Sequence, residues 1–264
     1  MTARLDFNWC FQAVTGNPPF PWQRALHEEF LAARFPDACD IPTGLGKTSV
    51  VAVWLLALAE HAGSGSVGGF PRRLVYVVNR RTVVDQATRE IEQLREALTR
   101  PELQEVARAL GTLAASSSDA PLAISTLRGQ FADNAEWRTD PARAAVVVGT
   151  VDMIGSRLLF SGYGCGFKSR PLHAGFIGHD SLLVHDEAHL EPAFQDLIEA
   201  VVREQRRSSD RATMRVLALT ATSRSPNPTM GLTADDFAQD EVRPPGECQK
   251  RPEVSPCAYH QGGP

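Results

Sequence analysis

Between an apolar run of strand length, Ala38 to Ile41, and a segment apolar nearly all round, Ser49 to His61, the chain carries Pro42-Thr43-Gly44-Leu45-Gly46-Lys47-Thr48. A helix without a polar face must be covered on every side, so the fold has to enclose it. The loop before it is equally restrictive. Gly44 and Gly46 let the backbone turn tightly enough to aim N–H groups at phosphate oxygens, and the helix N-terminus adds a favourable dipole. Lys47 then suits the β- and γ-phosphates of a nucleotide, and Thr48 suits Mg²⁺. The full phosphate-loop pattern calls for a glycine at position 41, where this chain has Ile41. The match is therefore to a variant, and a plain glycine turn before a helix is the competing reading.

The rest of the chain repeats the same alternation. Trp22 to Phe35 reads as an amphipathic helix after Asn17-Pro18-Pro19-Phe20-Pro21, and Leu74 to Val78 as a buried strand. Val83, Val84, Ala87, Ile91, Leu94 and Leu98 form one helical stripe. Leu122 to Ser125, Ala145 to Val148, Leu182 to His185 and Val216 to Leu219 have strand length and composition. A helix-like segment starts at Thr150, and another follows the last but one strand with Leu190, Ala193, Phe194, Leu197, Ile198 and Val201 on one face. Short apolar strands alternating with helices predict an α/β fold, a mostly parallel, doubly wound sheet with flanking helices. The expected divisions are an extension over 1–16, one domain over 17–233 and a proline-rich tail over 234–264 that adds nothing to the core.

Composition limits the partners. With 27 basic and 31 acidic residues the net charge is −4, so nucleic acid must be met by a local groove rather than a global field. Lysine occurs only at Lys47, Lys168 and Lys250, one of them where a phosphate loop requires it. Five scattered cysteines without a C-x-x-C pair fit neither a disulfide framework nor a zinc site. The N-terminus lacks a signal pattern and no apolar run reaches membrane length, so the expectation is a cytoplasmic chain without a membrane partner.

The second chemical signal is Asp186-Glu187-Ala188-His189 at the end of a predicted strand. A hydrolytic site needs one carboxylate to hold the metal and another to orient and deprotonate water. Asp186 suits the first role and Glu187 the second. Alone, such a tetrapeptide is more commonly an acid-capped helix start. Beside a phosphate loop it becomes far more specific.

The order Pro42-Thr43-Gly44-Leu45-Gly46-Lys47-Thr48, then Asp186 to His189, then Thr220-Ala221-Thr222 resembles motifs I, II and III of superfamily 2 helicases of the DExH type. Gln23, within Pro21-Trp22-Gln23, stands where that family has its Q motif. The resemblance covers about residues 17 to 225 and implies a RecA-like ATP-binding domain, with ATP and Mg²⁺ as cofactors. It also implies that Gln23 reads adenine, that Thr43 to Thr48 bind the phosphates, and that His189, Thr220 and Thr222 couple hydrolysis to movement.

Two further segments narrow the likeness. Val78-Asn79-Arg80-Arg81-Thr82-Val83-Val84-Asp85-Gln86 and Val148-Gly149-Thr150-Val151-Asp152 look like nucleic-acid-facing motifs of the CRISPR-associated helicase of type I systems, which unwinds and helps degrade target DNA. That resemblance implies single-stranded DNA and a CRISPR effector complex as partners. Arg80, Arg81, Thr126, Arg128 and Thr150 follow or lie near predicted strand ends, where a parallel sheet collects ligands, and their side chains suit a phosphate backbone. The competing reading is that Arg80 and Arg81 begin a solvated helix face. Arg203, Arg206, Arg207 and Arg211 read better as a solvated helix end than as a DNA site. His179-Asp180 has the residue types of an HD nuclease, but it is expected in a loop and lacks further ligands. Cys165 and His173 are expected to be ordinary loop residues.

Superfamily 2 motors place ATP between two RecA-like domains, the second supplying arginine fingers worth about 10³ to 10⁵ in rate in related enzymes. The residues after Thr222 are too few for such a domain, and no glutamine- and arginine-rich motif VI is present. The expectation is a chain that binds Mg-ATP, hydrolyses it poorly alone, and is completed by a separate polypeptide. A stand-alone P-loop ATPase or kinase and a non-catalytic nucleotide or DNA binding module are the alternatives.

Overall fold

The computed structural model describes residues 5–65, 67–115, 120–127, 136–162, 164–220, 229–232 and 236. Arg128, Ala221, Thr222 and residues 237–264 lie outside them.

Helix α1 (Phe7–Thr15) precedes the elements read from the sequence. Asp6 caps it by accepting from the Trp9 N–H at 3.1 Å, and Gly16 closes it at φ +82. Cys10, Phe11 and Val14 are buried in the main core, so this stretch of the expected extension packs with the domain. Helix α2 (Pro21–Leu31) follows, then β1 (Ala38–Asp40), a 3-10 turn over Lys47–Ser49 and α3 (Val50–Gly63). Next come β2 (Arg73–Val78), α4 (Arg81–Ala97), α5 (Gln104–Gly111), β3 (Ala123–Leu127) and α6 (Glu136–Thr139). The described chain then runs through β4 (Ala145–Thr150), α7 (Val151–Leu158), α8 (Arg170–Gly178), β5 (Ser181–Asp186), α9 (Pro192–Arg207), β6 (Arg215–Thr220) and β7 (Thr229–Gly231).

The seven strands form one sheet in the order β3-β4-β2-β5-β6-β1-β7, and every neighbouring pair is parallel. All strands therefore end at one edge, which gathers the segments that follow them. The expected parallel, doubly wound sheet is what forms.

Strand alternation divides the core in two. On β2, Leu74, Tyr76 and Val78 join the layer made with α1 to α5, whereas Val75 and Val77 face the layer that holds Met153, Ile154, Phe176, Phe194 and Ile198. Helix α3 sits inside the first layer with Val50 through Ala59 all buried. Its Trp54 indole N–H donates to Pro71 O at 2.9 Å, so even the one polar atom on these ten side chains is satisfied. The all-round apolar pattern is thus explained by complete enclosure.

Asp236, beyond the expected boundary at 233, is fully buried and accepts from the Trp22 N–H at 2.9 Å. It caps the first turn of α2 from far along the chain, a service Phe20 cannot perform with its own side chain. The fold thus holds residue 236 as well.

Candidate active site

Strands β1, β5 and β6 are neighbours, and their carboxyl ends bring together the phosphate loop, the acidic pair and Thr220. Strands β3, β4 and β2 make the other half of the same edge. Thr126, Thr150, Arg80 and Arg81 belong to that half. The sequence-predicted residues therefore fall into two adjoining groups, the expected nucleotide residues in one and the expected nucleic-acid residues in the other.

The phosphate loop leaves β1 through Ile41, which is wholly buried and donates its N–H to Thr220 O at 2.8 Å. Leu45 is tucked into the core, while Thr43, Gly44 and Gly46 are exposed. Gly46 adopts φ +69, and a Cβ there would lie 3.1 Å from Gln23 Nε2. Both the backbone conformation and the close neighbour call for glycine.

Lys47 is only 7% exposed, and its ammonium donates to Glu187 Oε1 at 2.7 Å. Glu187 has φ +53, an uncommon conformation for a residue with a side chain, and it sits where β5 turns into the next helical segment. Its other oxygen lies 3.5 Å from His189 Nδ1, which in turn is 3.4 Å from Thr220 Oγ1. Motif I, motif II and the start of motif III are thus joined by one polar chain: Lys47, Glu187, His189, Thr220.

Asp186 occupies the deeper position. Its Oδ2 accepts from the Tyr76 hydroxyl at 2.8 Å, and its Oδ1 is buried without a hydrogen-bond partner. Burial raises its carboxyl above the ordinary aspartate value, against the Tyr76 hydrogen bond and the Lys47 charge, which lower it. Burial likewise pushes the Tyr76 phenol well above its ordinary range, so it stays a neutral donor. Tyr76 escaped the sequence reading because it lies within an aliphatic run. The available signal was a lone hydroxyl among buried side chains, since a buried tyrosine usually finds a partner for its O–H.

Gln23 is 2% exposed and turned inward. Its Oε1 accepts from the Phe20 N–H at 2.8 Å, and its Nε2 donates to Ser49 Oγ at 2.6 Å, with Gly46 O at 3.5 Å. The amide ties the start of α2 to the loop that ends at Lys47. Ser49, unremarked in the sequence, is its partner.

Among the nucleic-acid candidates, Arg80 is the N-cap of α4 and Arg81 its first residue, both exposed. Thr126 meets Thr88 of α4 at 3.2 Å, and Thr150 is buried as the N-cap of α7.

The other motifs make contacts within the fold. His179 and Asp180 lie at the opposite edge of the sheet, where Asp180 Oδ1 accepts from the Arg72 N–H at 3.2 Å and His179 O receives two bonds from the Arg73 guanidinium. No cluster of metal-ligating side chains occurs among the described residues. His173 is on α8 rather than in a loop, buried against Trp137 and 2.7 Å from the Arg138 guanidinium. Packing of His173 and Phe176 on Trp137 accompanies helix there, where an ordinary loop is expected from the sequence. Arg203 and Arg207 are exposed and pair along α9 with Glu199 and Glu204. No helix among the described residues is long and apolar enough to cross a membrane.

Residues 20–225 match the family described as Type III restriction enzyme, res subunit, which spans the phosphate loop, the acidic pair and Thr220 together. The chain belongs to this res-subunit family. No curated protein matches the sequence significantly. Among solved structures, the DEAD-box helicase Mss116 bound to ssRNA and UDP-BeF superimposes with a TM-score of 0.52 at 15% identity, over 83% of this chain and 41% of that one. A DEAD box protein from the hyperthermophile Methanococcus jannaschii gives 0.46 at 15% identity, over 88% and 55%. The Pyrococcus furiosus Hef helicase domain gives 0.45 at 18%, over 85% and 39%. The res-subunit chain spans about half the length of these structures or less. Family and fold make it a res-subunit chain with the RecA-like fold.

Proposed function

We propose that this chain is the ATP-binding motor domain of a DNA helicase of CRISPR interference, coupling Mg-ATP hydrolysis to movement along single-stranded DNA. The observation that carries the reading is the convergence of Lys47, Asp186 and Glu187 at one strand edge, with Lys47 and Glu187 in direct contact at 2.7 Å. The CRISPR assignment rests on the segments around Arg80 and Thr150.

The residues fit a divalent cation. Asp186 presents a buried oxygen with no hydrogen-bond partner, and Thr48 follows Lys47 in the turn that ends the phosphate loop, so these two would hold Mg²⁺. When bound, Mg²⁺ neutralises charge on the β- and γ-phosphate oxygens. The chain's own groups supply the rest. Lys47 turns from Glu187 to the phosphates, and the backbone N–H groups of Gly44 to Thr48 line the loop. Glu187, released from Lys47, orients the attacking water and accepts its proton. The His189 and Thr220 side chains register the change in Glu187 and pass it to the segment that holds Thr222. Gln23 acts on the adenine side of the loop through Gly46 and Ser49.

A second RecA-like domain, in the same polypeptide or on a separate one, completes the cleft and contributes arginine fingers. Arg80, Arg81, Thr126, Arg128 and Thr150 contact the DNA backbone, and a CRISPR effector complex delivers that DNA.

The test is ATP hydrolysis by wild type, Lys47→Ala and Glu187→Gln, with and without single-stranded DNA, alone and with a polypeptide carrying a second RecA-like domain. Weak turnover alone, rising with DNA once the second domain is present and lost in both variants, supports the proposal. No turnover under any condition, with nucleotide binding unaffected by Glu187→Gln, supports a non-catalytic binding module instead.

A further inference from the structure

Tyr76 stands in the middle of the interior strand β2, with Val148 of β4 on one side and Val184 of β5 on the other. Its strand neighbours Leu74, Val75, Val77 and Val78 are all aliphatic, and it is itself wholly buried. A phenylalanine would fill the same volume without bringing a hydroxyl into a place where an unpaired one is costly. Packing therefore accounts for the ring and leaves the O–H unexplained.

The hydroxyl is accounted for by what it touches. It donates to Asp186 Oδ2 at 2.8 Å. Asp186, at the end of β5, is one of the two residues that would hold the cation. Because Oδ2 is committed to Tyr76, the carboxylate is left with Oδ1 as its uncommitted oxygen, buried and without a partner. Groups that orient metal-ligating side chains in this way commonly control metal affinity by about 10- to 100-fold.

We propose that Tyr76 is a positioning residue for the divalent cation of Mg-ATP, its hydroxyl fixing the Asp186 carboxylate in one orientation. This rests on the nucleotide-site reading above. Tyr76 touches neither phosphate nor reacting water; it acts through Asp186.

The experiment measures binding of a fluorescent ATP analogue to the full chain, in excess Mg²⁺ and in EDTA, for wild type, Tyr76→Phe and Val77→Ala. Val77 is the next residue on β2 and faces the opposite core layer. Thermal unfolding of each protein accompanies the titrations. The proposal predicts that Tyr76→Phe binds the analogue in EDTA as wild type does, but loses about 10- to 100-fold of the affinity that Mg²⁺ adds. Val77→Ala should keep the full Mg²⁺ increment. An undiminished increment in Tyr76→Phe overturns the proposal. So does failure of Tyr76→Phe to fold while Val77→Ala folds, because Tyr76 is then a structural residue. Absence of nucleotide binding by wild type refutes the nucleotide site itself, a result distinct from either of these.

Discussion

The Lys47 ammonium and the Glu187 carboxylate, 140 residues apart in sequence, meet at 2.7 Å beside the carboxyl ends of β1 and β5. The lysine that would bind phosphate is held by the carboxylate that would activate water. In the proposed function, this contact keeps each from its catalytic partner until nucleotide binds.

Glu187→Gln removes the charge that competes with phosphate for Lys47. ATP affinity, read by equilibrium titration, is expected to be unchanged or several-fold tighter. Steady-state turnover should fall by about 10²- to 10⁴-fold, the usual contribution of a general base.

Asp186 carries a stability cost. Its folded-state pKa is raised by burial above the ordinary value of 3.8, so the folded chain holds the proton more tightly than the unfolded one. The penalty is fully present above the folded pKa and disappears as pH falls through it toward the unfolded value. Asp186→Asn is therefore expected to raise the thermal midpoint of the ligand-free chain at pH 7. The gain should shrink as pH falls through the folded pKa toward the ordinary value of 3.8, and thermal melts across that range provide the check.

Arg73 is expected to matter for folding alone. Its guanidinium donates to His179 O at 2.6 Å and to Pro141 O at 3.0 Å and lies over the Phe176 ring, at the amino edge of the sheet. Arg73→Ala leaves those carbonyls short of donors and should cost about 2–4 kcal/mol in chemical denaturation. ATP affinity should be unaltered in buffer, since the nucleotide residues occupy the other edge.

The buried thiols should resist modification. Burial pushes Cys39 up to about 12 and Cys10 up to about 11, so neither is a thiolate at pH 8. Peptide mapping after brief iodoacetamide treatment is expected to find Cys10 and Cys39 unmodified in the native chain, with Cys165, which is partly exposed, reacting sooner.

Much of this was legible from sequence because the signals were local. The apolar runs of β2, β4 and β5 and the phosphate loop each declare themselves within a few residues. Their parallel arrangement follows from alternation with helices. What stayed hidden depends on contacts between distant segments. Helix α1 is nine residues long and owes its place to packing against α3 and α4. Strand β7 is three residues long and pairs with β1 at the edge of the sheet. Tyr76 looked like one more core residue until β5 set Asp186 above it. The inward turn of Gln23 depends on Ser49 being close to Gly46.

Calorimetric titration of ATP into the full chain in the presence of Mg²⁺, with Lys47→Ala in parallel, tests the account most directly. The account predicts saturable binding by wild type, weakened at least about 10-fold by EDTA and by Lys47→Ala, since each removes a charge that the phosphates require. Equal affinity of wild type and Lys47→Ala, or no binding by wild type, would contradict it.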